Sequence, residues 1–418
     1  MKKILIFVMM NIFLFSQLHA ANIDKFSEKI FISHQNENIF NQAEIYEKYI
    51  SQLEKIIQNN PKTTFINNII ELEKNISIKH DEIISEILQK KAKIKTGNTL
   101  ILKFSNTTNI SQYVLNNSQK IKDSNSVFIF RESENLTSKN MKKITWEIKN
   151  ISDDILIFID QEWGQINRFI SFENWFSLEK YTDYLYVFFR FNALSSQEKE
   201  NLKQLFWNSQ YFPSMWNIWK FYKNISKENK QNFLEIITFI QLKNLQNHWI
   251  NTHWFIADLD LWNPVISGLN RSFSENILDY FDLINAYIEA SKVTWVVLYA
   301  KHFPGHGAGK IDSHSDILDY SQNTQYVENN LLVFEYFLEN TKLLWKWIMV
   351  WHMYLDKNIS DKFHKIIDKS DFIITDDLAM EWFKKIKNIP ENKIFSTQEI
   401  LQKNNLIKVH TQENIWIK

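Results

Sequence analysis

Residues 301–316 read KHFPGHGAGKIDSHSD, a stretch that gathers three histidines, two aspartates, two lysines and three of the chain's six glycines. Asp312 and His314 are one residue apart, so in an extended loop their side chains point to one side. A carboxylate so placed can hydrogen-bond one imidazole nitrogen, fix the tautomer and raise the pKa. The other nitrogen then serves as a proton donor near neutral pH. A solvated polar loop is the plain alternative for the same residues. Metal binding has less support, because no HExxH spacing is present and the chain has no cysteine. A second candidate is Asp376, in ITDDLAM at the end of an apolar run. A carboxylate there can be a nucleophile or general base, or it can cap the next helix. A proton donor and a carboxylate together are what glycoside hydrolysis requires.

Such groups need a frame. After residues 96–98 the sequence alternates short apolar runs with polar stretches of helical period. Candidate strands lie at 100–104, 126–130, 155–159, 185–191, 250–257, 296–300, 348–350, 372–374 and 406–409. Candidate helices include 224–246, 274–291 and 327–347. This repeated alternation over about 310 residues predicts an α/β fold with a parallel sheet, specifically a (β/α)8 TIM-type barrel. In a barrel, chemistry sits just after the strand ends. Lys301 and His302 follow one candidate strand, Asp376 and Asp377 another, and Asp160, Gln161 and Glu162 a third. Residues 22–95, with apolar residues three and four apart and a break near Asn59, Asn60 and Pro61, read as a helical hairpin. Residues 96–418 are assigned to the barrel.

The first 21 residues place two lysines before an apolar run and end in Ala20 and Ala21, the order of a secretory signal, which predicts export. Lys plus Arg and Asp plus Glu both number 48. That balance argues against a nucleic-acid partner or strong attraction to an anionic membrane, and for a small or neutral substrate.

KHFPGHG followed by DSH, with DQEWGQINRF (160–169), FPSM (212–215), NPVIS (263–267), NRSF (270–273) and ITDDLAM (374–380), resembles the catalytic barrel of glycoside hydrolase family 3. Within that family the pattern is similar to the β-N-acetylglucosaminidase (β-hexosaminidase) branch, and it runs from about residue 98 to 385. The resemblance implies a retaining, two-step hydrolysis of terminal β-linked N-acetylglucosamine, as in peptidoglycan fragments. It casts Asp376 as nucleophile and His314, oriented by Asp312, as acid and base. It also implies sugar-binding roles for Asp160, Arg168, Arg271, Lys301 and His302, with His306 bracing its loop and no metal or organic cofactor. A β-glucosidase, an inactive sugar-binding protein, and transfer to phosphate rather than water are the other readings.

One departure recurs. Trp163, Trp249, Trp295 and Trp382 stand where the family has glycine, and Trp351 replaces a small residue. Six glycines fall far below the roughly 29 that an average usage of about 7% would give, while tryptophan numbers 15. Reading all 15 as glycine would raise the glycine count to 21. This coupled excess and deficit is what a UGA codon assigned to glycine, but translated as tryptophan, would produce. If the tryptophans are genuine, Trp163 and Trp351 crowd the mouth of the site.

Overall fold

The structure is a computed structural model that describes residues 66–93, most of 97–377, and short pieces at 393–396 and 406–409, with a few isolated positions besides. Within 97–377 the gaps are 132–133, 173–175, 208, 310–317 and 342–345. Asp312 and His314 therefore lie outside the described residues, as do the predicted signal segment and Trp382. The chain divides into two units, Met1–Ile94 and Lys95–Lys418.

In the first unit, Ile66–Lys93 forms a 28-residue helix, at the place where the second arm of the hairpin was expected. Leu72, Ile76 and Ile83, spaced by four and seven, are buried along one face. Of the first arm only Gln42, Tyr46, Ile50 and Leu53 are described, each helical. No helix among the described residues is long and apolar enough to cross a membrane.

The second unit is α/β. Its main sheet has eight strands: β1 (Gly97–Phe104), β2 (Ser126–Arg131), β3 (Leu156–Ile159), β4 (Thr252–Ile256), β5 (Val297–Phe303), β6 (Trp347–Val350), β7 (Phe372–Asp377) and β8 (Leu406–Val409). The hydrogen-bonded order is β3-β2-β1-β8-β7-β6-β5-β4, and every pair is parallel. β3 and β6 are wholly apolar and buried, as strands covered on both faces must be, whereas β1 and β8 interrupt their apolar runs with Lys103 and Lys408. Among the described residues no backbone ladder joins β3 to β4, so the backbone pairing described there leaves the expected barrel unclosed. Side chains bridge that seam instead. Asn251 accepts from the Ile157 N–H at 2.8 Å and donates to the Ile155 carbonyl at 3.1 Å, and the Thr252 hydroxyl donates to the Ile157 carbonyl at 2.7 Å. Trp254 packs across the seam on Phe158 and Phe128. Three short strands, Leu318–Asp319, Met353–Asp356 and Lys393–Phe395, form a separate small sheet.

Helices run between most of the strands, among them Ser138–Ile151, Lys230–Asn247, Ile277–Thr294 and Thr324–Asn340. The first begins on the Thr137 side chain, which accepts from the Asn140 N–H. Three boundaries differ from the sequence expectation. The aromatic run at 185–191 is a helix, Leu185–Ala193, rather than a strand. It buries Val187, stacks the Arg190 guanidinium on Tyr186 one turn earlier, and ion-pairs Arg190 with Glu235 of the Lys230–Asn247 helix. Trp347, expected to end a helix, opens β6, where it is fully buried edge-on against Tyr299. β5 continues through Lys301 and His302 to Phe303, so these residues belong to the strand end itself.

Candidate active site

Polar residues converge at the C-terminal ends of β3, β4 and β5. Asp160, Gln161 and Glu162 leave β3 in a tight turn in which the Glu162 N–H donates to the Ile166 carbonyl at 3.0 Å. The turn folds the chain back so that Arg168 reaches Asp160, with Nη2 and Oδ2 2.5 Å apart. Gln161 locks it: its carbonyl accepts from the Arg168 N–H and its amide donates to Asn167, at 2.6 and 2.8 Å.

Lys301, on β5, extends its ammonium to both carboxylates of the β3 turn. It lies 2.8 Å from Asp160 Oδ1 and also bonds Glu162 Oε1. Glu162 in turn receives Arg271 through two nitrogens, Nε at 2.5 Å and Nη2 at 2.7 Å. The Lys301 ammonium also sits 4.7 Å above the Trp254 ring. Five charged side chains thus form one network, with exposure graded across it. Glu162 and Lys301 are 1% and 3% exposed, Arg271 10%, Arg168 17% and Asp160 21%. Asp160 and Arg168 present the open edge, and the other three form the floor. Burial opposes a charge on Asp160, but Lys301 and Arg168 outweigh it and hold this carboxyl well below the usual range. It is a fixed anion with its neighbours' N–H groups around it, a pattern suited to a polar ligand through charge-assisted hydrogen bonds.

A second centre lies beside the first. Asp258, just past β4, is fully buried and accepts from His302 Nδ1 at 2.6 Å, from the His302 N–H at 3.1 Å and from the His306 N–H at 2.9 Å. Burial works against its charge, yet His302 and His306 bring its pKa down. With Nδ1 committed as donor, His302 keeps Nε2 as acceptor, facing Arg271 Nη2 at 3.3 Å. Burial and the cations Arg271 and Lys301 lower the His302 pKa despite Asp258, which favours the neutral imidazole. Trp351, the residue after β6, stands edge-on to both His302 and His306, at 4.6 and 4.7 Å between ring centroids.

The structure brings five of the sequence-nominated residues together: Asp160, Arg168, Arg271, Lys301 and His302. Asp376 lies in β7, one residue beyond Thr375, which pairs with Val350 at the end of β6. Its backbone therefore reaches the same end of the sheet as Lys301, and its side chain is outside the description. Glu162 and Asp258 were not nominated. Glu162 carried a usable signal, since it stands two residues from Asp160 in the same strand-end cluster.

Residues 259–390 match the family model for the glycosyl hydrolase family 3 N terminal domain, which bears out the family resemblance; the match takes in Arg271, Lys301, His302, Asp312, His314 and Asp376. A 60-residue segment is 42% identical to a β-hexosaminidase of Psychromonas ingrahamii, covering 14% of this chain and 17% of that protein. Among solved structures, native NagZ from Neisseria gonorrhoeae superposes with a TM-score of 0.50 at 19% identity, covering 76% of this chain and 82% of that one. A β-N-acetylhexosaminidase from Beutenbergia cavernae gives 0.50 at 12% identity, over 78% and 87%. At these identities the structural matches speak for the fold alone.

Proposed function

We propose, on the premise that residues 259–390 carry the glycosyl hydrolase family 3 N terminal domain, that this protein is a retaining β-N-acetylhexosaminidase. Its substrate is terminal β-linked N-acetylglucosamine, in cell-wall fragments met after export. The frame is a (β/α)8 barrel in which side chains bridge the β3–β4 seam. The observation that carries the reading is the Asp160–Arg168–Lys301 cluster, a charged grip for a polyol, at the same sheet end as the Asp376 backbone.

In the proposed reaction Asp376 attacks the anomeric carbon while His314 protonates the departing glycosidic oxygen, which breaks the sugar–aglycone bond and leaves a glycosyl ester on Asp376. His314, now neutral and held by Asp312, takes a proton from water. That water attacks the same carbon and releases Asp376, and the two inversions give net retention. Asp160 and Arg168 would hold the sugar's hydroxyls in both steps.

A panel of aryl glycosides tests the reading. Turnover of the β-N-acetylglucosaminide with the β-anomer as first product, lost in Asp376→Asn, is the expected result. Preference for the plain β-glucoside would move the protein to another specificity within the family. Affinity for N-acetylglucosamine without turnover of any substrate would make it a sugar-binding protein. Trp351, packed against His302 and His306, is the observation that favours that second reading.

A further inference from the structure

Among the described residues, five that are not glycine hold a positive φ, and four of the five are tryptophans: Trp163 (72°), Trp249 (56°), Trp262 (62°) and Trp295 (62°). The fifth, Asn270 (55°), is of a type that visits this region readily. Tryptophan makes up 15 of 418 residues, so its hold on this set is not a matter of abundance.

Each of the four stands in a local motif. Trp249 follows the Lys230–Asn247 helix and its cap His248; the Trp249 N–H bonds the Gln246 carbonyl at 2.9 Å and the Ile250 N–H the Leu245 carbonyl at 3.1 Å. Those two bonds define a Schellman motif with Trp249 at C′, the position that glycine ordinarily fills. Trp295 ends the Ile277–Thr294 helix with φ 62° and ψ 19°, and its N–H bonds the Ser291 carbonyl, the simpler left-handed helix cap. Trp163 precedes Gly164, whose φ is 66°. Trp163 bridges to Ile166 across the reversal, so two consecutive residues enter it with positive φ, a run that Gly-Gly adopts without strain. Trp262 lies in the loop after β4, where its N–H bonds Asp260 Oδ1 at 2.9 Å.

The side chains differ in burial. Trp163 is 2% exposed, with no partner for its buried indole N–H among the described residues, whereas Trp249 and Trp262 are 57% and 74% exposed. Burial therefore does not unite them; the common property is the backbone angle.

We infer that positions 163, 249, 262 and 295 are glycine in the polypeptide that the protein's own cells make, a UGA codon assigned there to glycine having been rendered as tryptophan. The consequence reaches the site. Glycine at 163 makes the β3 turn, which carries Asp160, Glu162 and Arg168, a Gly-Gly reversal, and it removes an indole packed on Phe212 and His253.

Peptide mass spectrometry on the protein isolated from its source cells tests this directly. Glycine at all four positions is expected, and tryptophan at any of them overturns the inference. A recombinant comparison gives a second reading. The chain carrying Trp163→Gly, Trp249→Gly, Trp262→Gly and Trp295→Gly should melt higher than the tryptophan form, by on the order of 5 °C. If Trp163 is native, its removal leaves a cavity and the midpoint falls, which would overturn the inference at the buried site.

Discussion

The Arg271 guanidinium holds the Glu162 carboxylate through two nitrogens, at 2.5 and 2.7 Å, in a pocket where Glu162 is 1% exposed. Lys301 shares the same carboxylate, so one anion sets the position of two cations that border Asp160. Removing that charge leaves two buried cations short of a counter-ion, which typically costs about 3–5 kcal/mol. Glu162→Gln keeps the shape and should lower the unfolding midpoint. If the proposed function holds, kcat/KM should fall by about tenfold or more, corresponding to about 1.4 kcal/mol of lost transition-state binding. A variant with unchanged stability and kinetics would mean that Arg271 and Lys301 are placed by other contacts.

Asp258 and His302 offer a different contrast. Asp258→Asn can still accept from the two backbone N–H groups through its carbonyl oxygen, but it no longer stabilises a proton on Nδ1. The His302 tautomer is then free to change, and Nε2 is no longer reserved as an acceptor for Arg271. The expected signature is a shift in the His302 imidazole nitrogen resonances, with most of the stability retained. Unchanged resonances would show that Asp258 does not set the tautomer.

Glu198 supplies the pH prediction. It caps the Ser196–Leu205 helix and accepts from Ser195 N–H, from Ser226 through both N–H and hydroxyl, and from Asn229, at 2.7 to 2.9 Å. Burial pushes its pKa up, but these donors prevail and bring it down to about 2. A depressed carboxylate contributes its stability in full above the unfolded-state value of about 4.3 and loses it as pH falls through the folded value. Glu198→Gln should therefore cost stability at pH 7, about 1.5–3 kcal/mol for hydrogen bonds to a charged group. The difference from the parent should shrink between about pH 4.5 and 2, as followed by urea unfolding at stepped pH. A constant difference over that window would show that Glu198 titrates normally.

These residues also mark what the sequence could reveal. Most strands were legible because each is built around a short apolar run, and the strand-end positions of Asp160 and Lys301 followed from the frame. The roles of Glu162 and Asp258 were not legible, because their partners lie far along the chain: Arg271 is 109 residues from Glu162, and His302 is 44 from Asp258. Only the folded sheet brings them into register. The 185–191 run misled because its aromatic, β-rich composition suits a strand. Tertiary packing against the Lys230–Asn247 helix and the Arg190–Glu235 pair decide otherwise. The β3–β4 seam was also invisible, since nothing in a sequence marks Asn251 as a stand-in for a backbone ladder.

That seam yields the last prediction. Between β3 and β4 the Asn251 side chain completes two backbone groups, the Ile157 N–H and the Ile155 carbonyl, and Thr252 completes a third, the Ile157 carbonyl. Asn251→Leu preserves bulk but leaves two backbone groups without partners, at about 1–3 kcal/mol each. Thr252→Val leaves one. The expected order of stability by urea unfolding is parent, then Thr252→Val, then Asn251→Leu. Because Asp160 directly follows β3, loosening the seam should, if the proposed function holds, also weaken sugar binding in Asn251→Leu. Equal stability of all three forms would mean that aromatic packing of Trp254 on Phe128 and Phe158 holds the seam, and that the side-chain hydrogen bonds contribute nothing measurable.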